Sequence, residues 1–395
     1  MHRAYLDYNA TTPVDPEVLA AMLPYFSAEF GNPNSVHSYG QSARGAVERA
    51  RTSIAALIGA RPSEIVFTSG GTEADNLAIF GVLAHSPEPA GGGVRHIVTS
   101  TMEHHAVLHS CQALERRGVE VTRVPVGRDG VVDPYDIRRA LRPETVLVTV
   151  MHANNELGTL QPIEEIGRIA AEAGVRFHSD AVQSAGKVPL DVARLGVDLL
   201  SLSAHKFYGP KGVGALFVRK GVQLEPLLYG SRGEGGRRAG TENVSGLVGL
   251  GKAAELARER LDEQALRVAA LRDRLEQGLL RVVRGARVNG GGARRLPNTC
   301  NIRFPAVDSE SLVIALDLQG VACSAGAACL SGAVDPSHVL AAIGLSPEEA
   351  RGSIRLSLGS MTTEDDIALA LETIPAAVAR QRELSPARRE TVTHA

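Results

Sequence analysis

The hydrophobic residues of this chain fall into short runs separated by longer segments with helical spacing. Runs of strand length occur at Ile65-Val66-Phe67-Thr68, His96-Ile97-Val98-Thr99, and residues 119–125, 145–151, 175–177, 199–203 and 214–218. Glycine, proline or polar clusters bound them, as strands require. Residues 41–58 instead place Ala46, Ala50, Ile54 and Leu57 on one helical face. A long helix expected from about residue 246 to 283 aligns Val268, Leu271, Leu275, Leu279 and Val282. Residues 163–173 read as a further helix, and Asp15 before Pro16 caps another that is expected to reach about residue 26. Strands alternating with helices predict an α/β fold with a mostly parallel sheet. Beyond the long helix, residues 298–304 and 353–358 read as strands and 309–318 and 364–378 as helices, a smaller α+β unit. The expected division is a large domain, 16–255, and a small domain, 1–15 with 256–395. Residues 31–40 and 85–93 read as loops.

Two of the strand-like runs end on chemistry. One leads into Asp180-Ala181-Val182-Gln183, the next into Ser203-Ala204-His205-Lys206. An acid or a lysine at a strand end is ordinarily a surface residue. Together, at the ends of neighbouring strands, they stand where open α/β sheets bind ligands. Pyridoxal phosphate needs such a pair, a lysine to bond its aldehyde and an acid to keep its pyridine nitrogen protonated. Ser69-Gly70-Gly71-Thr72 opens a helix, and free N–H groups there suit a phosphate. Ser203 and His205 stand ready to add hydrogen bonds to it. Gly246-Leu247-Val248-Gly249-Leu250-Gly251-Lys252-Ala253 nearly spells a nucleotide-binding loop, but Ala253 stands where a hydroxyl would hold magnesium and no strand precedes it. It reads as the start of the long helix. His104, His105 and His109 invite a metal, yet no cysteine or carboxylate completes a ligand set, so no metal is expected.

These cofactor segments, with Tyr5-Leu6-Asp7-Tyr8-Asn9-Ala10-Thr11-Thr12 at the start, resemble the cysteine desulfurases of the class V aminotransferase group. The resemblance runs to about Leu384, nearly the whole chain. It implies a fold-type-I transferase that uses pyridoxal 5'-phosphate to convert L-cysteine to L-alanine, leaving the sulfur as a persulfide on an enzyme cysteine. It assigns His104 to stacking on the pyridine ring, Gln183 to the ring hydroxyl, and Asn155 to the cofactor and substrate edge. Gly71, Thr72, Ser203 and His205 fall to the phosphate, and Arg355 to the substrate carboxylate. Thr241, in a glycine-rich loop, matches a residue that reaches the phosphate of a neighbouring subunit, which implies a homodimer. Cys329 falls at the position of the sulfur-carrying cysteine in a long loop of small residues, the housekeeping or nitrogen-fixation pattern. This chain has Ala327 and Leu330 where the family pattern has serine and threonine. The implied partner is a sulfur-acceptor protein such as an iron–sulfur scaffold. Selenocysteine lyase or another class V reaction is the alternative on this scaffold, and a non-catalytic sulfur-acceptor scaffold the alternative of another class.

Composition narrows the setting. The 395 residues carry a net charge of −2, which gives no reason to expect a nucleic-acid or membrane partner. The basic stretches at 281–287 and 294–295 read as solvated faces. The first residues have no apolar core of a signal peptide. Four scattered cysteines fit a reducing cytoplasm. Cys323, closing the apolar pair Val321-Ala322, reads as packed rather than reactive.

Overall fold

The computed structural model describes residues 2–86, 93–231, 233–325 and 337–384. The strands are, in chain order, β1 (Ala4–Tyr5), β2 (Ile65–Thr68), β3 (His96–Ser100), β4 (Glu120–Val124), β5 (Thr145–Thr149), β6 (Arg176–Asp180) and β7 (Leu199–Ser203). There follow β8 (Gly214–Val218), β9 (Arg287–Val288), β10 (Thr299–Arg303), β11 (Val321–Ala322), β12 (Ser324–Ala325) and β13 (Ser353–Ser357). Seven of them form one sheet in the order β2-β8-β7-β6-β5-β3-β4. All pairings from β7 through β4 are parallel, and β8 alone runs against its neighbours β2 and β7. The expected α/β fold with a mostly parallel sheet is therefore present.

The strands β2, β7 and β8 are buried at every position and mostly apolar because both faces of this sheet are covered there. On one face Ile65, Phe67, Leu200, Leu202, Ala215 and Phe217 pack with Ile54 and Ile58 of the helix Ser38–Ile58 and Leu250 of the helix Val244–Val282. On the other, Val66, Leu199, Leu216 and Val218 pack with Leu77 of the helix Gly71–His85 and Leu114 of the helix His105–Glu115. Successive residues of one strand thus feed opposite cores, which is the twofold side-chain alternation of a pleat.

A separate core lies over the sheet β12-β13-β10-β9, built from Ile302, Ile354 and Leu356 with Leu312 and Ile367. The long helix serves both cores: Leu247 and Leu250 face the first, and Val268, Leu271, Leu275 and Leu279 the second. The arm at the N-terminus is tied to this second core through Ala4 and Leu6, with β1 parallel to β11.

The structure departs from the sequence reading at several places. The first helix is Pro16–Met22, capped by Asp15 as expected, but it passes into a 3₁₀ turn, Leu23–Phe26, at Pro24. Proline has no N–H to continue an α-helix and crowds the preceding turn. The next helix begins at Ser38, inside the stretch read as loop, with the His37 ring accepting from the Gly40 amide. Gly40 is there for space, not as a helix breaker: a Cβ would lie 2.2 Å from the Ser35 carbonyl oxygen. His85 ends a helix, and the rest of its expected loop, 87–92, lies outside the described residues. Val282 is exposed at the end of the long helix and Val283 takes the buried position. The last helix runs through Pro375 to Leu384. Arg295 is no solvated residue, because its guanidinium forms two hydrogen bonds to half-buried Glu276 at 2.9 and 3.1 Å.

Candidate active site

A cavity of about 220 Å³ opens where β3, β5, β6 and β7 end and the helix Gly71–His85 begins. Parallel strands leave such a crevice because their following connections diverge to either face. Gly71, Thr72, His104, Asn155, Asp180, Gln183, Ser203, His205 and Lys206 line it, together with Asp75, Met151 and Val182.

Asp180 is the last residue of β6, and β6 pairs in register with β7, setting Asp180 opposite Ser201. Its carboxylate accepts the Val182 N–H at 2.8 Å, and burial pushes its pKa up to about 6 against the opposing pull of that bond and of Lys206. Lys206 closes the 3₁₀ turn Ala204–Lys206 that follows β7. Its ammonium donates to the Asn9 and Ala10 carbonyls at 2.6 and 2.9 Å. Burial first, then the Arg355 charge, push the Lys206 pKa down to about 8. A lysine so placed is neutral far more often near neutral pH than an ordinary one.

His104 caps the helix His105–Glu115: Ala106 N–H donates to Nδ1 at 3.1 Å, so the ring proton sits on Nε2. Burial and then Lys206 push its pKa down to about 4, so the ring is a neutral, flat face. At the other end, Gly71 and Thr72 start a helix whose first amides have no partner within it. The approach here is tight. A Cβ on Gly71 would lie 2.6 Å from Val182 Cγ2, and one on Gly214 at the start of β8 would lie 2.6 Å from the Leu202 oxygen and 2.7 Å from Gly70 Cα. His205 Nδ1 lies 3.1 Å from Thr11 Oγ1, and burial pushes its pKa down to about 4.

Other residues singled out from sequence stand apart. Arg355 lies behind Asn155, donating from Nη1 to the Asn155 carbonyl at 3.1 Å. Its Nη2 is engaged by Asp7 at 2.7 Å and Ser324 at 3.0 Å, while buried Nε has no partner. Thr241 is exposed and does not reach the cavity of its own chain. Cys329 lies outside the described residues, but the residues flanking its segment are anchored near the site. Ser324 bonds Asp7 and Arg355, and Ser337 donates to Glu156 at 2.6 Å. The three described cysteines are buried. Burial pushes the thiols of Cys111 and Cys323 up to about 12, and that of Cys300 further still.

Sequence reasoning passed over Asp75, Asn9 and Lys187. Asp75 is one turn into the helix that starts at Gly71, fully buried, with Oδ1 unpartnered and 3.6 Å from His178 Nε2. Burial, reinforced by Asp180, raises its pKa well above the usual carboxylate range. Asn9 accepts from Lys206 and Gln183 through its carbonyl, and its side chain bonds the Asn155 carbonyl, Thr299 and Asn298. Nothing in its local pattern marked it, although it stands in the first stretch that carries the family resemblance.

The chain is similar to known proteins over nearly its whole length. The sequence profile described as "Aminotransferase class-V" matches residues 4–369. The chain belongs to the class-V aminotransferase family. Among curated members, the cysteine desulfurase IscS of Dictyoglomus turgidum is 49% identical over 386 residues, 98% of this chain and 97% of that protein. Among solved structures, one described as a NifS-like protein superimposes with a TM-score of 0.89 at 39% identity, covering 96% of this chain and 100% of that one. Another, described as SspA in complex with cysteine, gives a TM-score of 0.81 at 39% identity, covering 91% of this chain and 100% of that one.

Members of this family use pyridoxal 5'-phosphate, and the cavity's donor set fits that group. One end offers free helix amides with Ser203 and His205, which suits a phosphate. The floor offers the Asp180 carboxylate, which among the described residues accepts only the Val182 N–H and so has capacity left for a cationic ring N–H. A lysine and a neutral imidazole complete the set.

Proposed function

We propose that this protein is a pyridoxal-phosphate-dependent cysteine desulfurase that converts L-cysteine to L-alanine and keeps the sulfur as a persulfide on Cys329. The observation that carries this reading is the meeting of Lys206 and Asp180 in one buried cavity with a helix N-terminus. When bound, the cofactor supplies an aldehyde that bonds amines and a pyridinium that accepts electrons. Asp180 holds the proton on the ring nitrogen. Gly71, Thr72, Ser203 and His205 hold the phosphate, His104 covers the ring face, and Asn155 borders the substrate. Lys206, its pKa pushed down to about 8, takes and returns the proton at the substrate Cα. Arg355 bonds the substrate carboxylate, for which its engagement with Asp7 must loosen. The Cys329 thiolate attacks the substrate sulfur. A new S–S bond forms, the C–S bond breaks, and its electron pair is protonated as alanine departs. The three described cysteines are buried with raised pKa values, which supports the assignment of the carrier to Cys329.

The working unit is a homodimer in which Thr241 reaches the partner's phosphate, which suits its exposure here. Residues 16–255 form the large domain, and 1–15 with 256–395 the small one. A long helix feeding two cores is consistent with a boundary near 255. No helix among the described residues is long and apolar enough to cross a membrane, and the enzyme works in the cytoplasm, handing sulfur to an acceptor such as an iron–sulfur scaffold.

The test is direct. Purified protein is expected to be yellow, to bleach on borohydride with the adduct on Lys206, and to release alanine from L-cysteine. An adduct on Lys211 or Lys220 refutes the lysine assignment. Alanine release from L-selenocysteine alone favours a lyase, and a colourless protein without activity a binding scaffold.

A further inference from the structure

Behind Gln183 lies a second lysine that the chemistry above does not use. Lys187 follows Gln183 by one helical-type turn, and its Nζ donates to Gln183 Oε1 at 3.0 Å and to Asn9 Oδ1 at 3.4 Å. Both acceptors are neutral amide oxygens. Burial first, then the like charges of Lys206 and Arg355, lower its pKa well below that of an ordinary lysine. Holding such a group in place carries a desolvation cost that an apolar side chain of the same length would avoid. Its value lies in what it holds.

As an ammonium, lysine can only donate, and a backbone carbonyl can only accept. Gln183 sits between one of each: Lys187 on Oε1, and the Asn9 carbonyl accepting from Nε2 at 3.0 Å. Flipping the amide would turn its NH₂ toward the Lys187 ammonium, donor against donor, and its oxygen toward the Asn9 carbonyl, acceptor against acceptor. With one N–H given to Asn9, Gln183 has its other N–H for the cavity it lines. We infer that Lys187 is a positioning residue that locks the Gln183 amide so that it presents an N–H, and not its carbonyl oxygen, to an oxygen acceptor on the bound ligand. Resting on the pyridoxal-phosphate reading, that acceptor is the ring hydroxyl in its ionised form. The second tie, to Asn9, makes the lock depend on the same residue whose carbonyl receives Lys206.

The experiment is a double-mutant cycle on cofactor affinity. Apoprotein of the parent, Lys187→Met, Gln183→Ala and the double variant is titrated with pyridoxal 5'-phosphate, following the visible band, and each apoprotein is melted. Lys187→Met is expected to weaken binding about tenfold, the size of one hydrogen bond to a charged oxygen, and to shift the visible band, while the apoprotein melts no lower than the parent. In the Gln183→Ala background the same change should weaken binding by less than about twofold. Lys187→Arg, which keeps a donor, should bind within about threefold of the parent. Equal losses in both backgrounds overturn the inference, as does unchanged affinity in Lys187→Met. So does a lower melting temperature that accompanies the affinity loss, because that is a structural role. Failure of the parent itself to bind the cofactor refutes the functional reading, and is thereby told apart from failure of the lock.

Discussion

Replacing Glu234 by glutamine is the most severe test of how the glycine-rich loop is held. Glu234 adopts a left-handed backbone, φ 50° and ψ 42°, uncommon for a residue with a Cβ. Its surroundings compensate for this. Arg51 donates to both carboxylate oxygens at 2.8 and 2.9 Å, Phe67 N–H donates at 2.9 Å, and the two side chains are only 12% and 4% exposed. The guanidinium also bonds the Ile65 carbonyl at 2.8 Å and lies 4.6 Å from the Phe67 ring centre. Glutamine keeps the volume but turns an NH₂ toward the guanidinium and leaves the buried Arg51 charge with only the exposed Glu48 carboxylate, 3.4 Å from Nε, as counter-ion. The cost of breaking a buried pair in this way is about 3–5 kcal/mol. At about 2.1 cal/mol/K of unfolding entropy per residue, a chain of 395 residues loses about 4–6 °C in melting temperature. Calorimetry on the apoprotein measures this. Removing both charges, Arg51→Met with Glu234→Met, should cost clearly less than the sum of the single changes, the residual being the unpaired Phe67 N–H at about 1–3 kcal/mol. A Glu234→Gln protein melting within 1 °C of the parent (about the error of the measurement), or a double variant as unstable as the sum of the singles, would refute the reasoning. The loop also carries Thr241, so Glu234→Gln should weaken cofactor binding if Thr241 serves the partner's phosphate.

Cys329→Ser should keep its colour and its spectral response to L-cysteine yet release alanine about a thousandfold more slowly, a loss of about 4 kcal/mol of transition-state stabilisation. Cys323→Ser should keep most activity, and mass spectrometry finding the added sulfur on Cys323 would reverse the assignment. Asp180→Asn still accepts the Val182 N–H but loses the charge that holds the ring proton. Alanine release should fall by at least about a hundredfold with the melting temperature almost unchanged, and a rate within fivefold (about 1 kcal/mol) would remove Asp180 from this role. His152 is buried with Nδ1 unpartnered, and burial, then Arg294, push its pKa down to about 4. Below its unfolded value of about 6.5 the unfolded chain takes up a proton that the folded one refuses. Stability is therefore lost as pH falls from 6.5 toward 4, by up to about 1.4 kcal/mol per pH unit. His152→Gln should flatten the stability–pH slope by that amount, and an unchanged slope in denaturant titrations at pH 7 and pH 5 would contradict it.

The sequence by itself determined the elements and the chemical poles of the site, because both are written locally. A short strand buried on both faces is largely apolar, so 65–68 could be read to the residue, and the helix Ser309–Leu318 shows its own spacing. The same holds for Asp180 and Lys206, each at the end of such a run beside turn residues that set its direction. What tertiary structure alone decided are the pairings across long separations. Asn9 meets Lys206, Gln183 and Asn298; Arg295 finds Glu276; Arg355 is engaged by Asp7. Gly40, read as part of a loop, is a helical residue that has no room for a Cβ because another backbone passes close by. Lys187 looked like any surface lysine, since its distinguishing property is desolvation beside two like charges. Periodicity reports which face of an element is buried. It does not report which polar group will be facing it from a strand or arm far away in the chain, and that partner sets the charge and hydrogen-bonding direction of each group in the cavity.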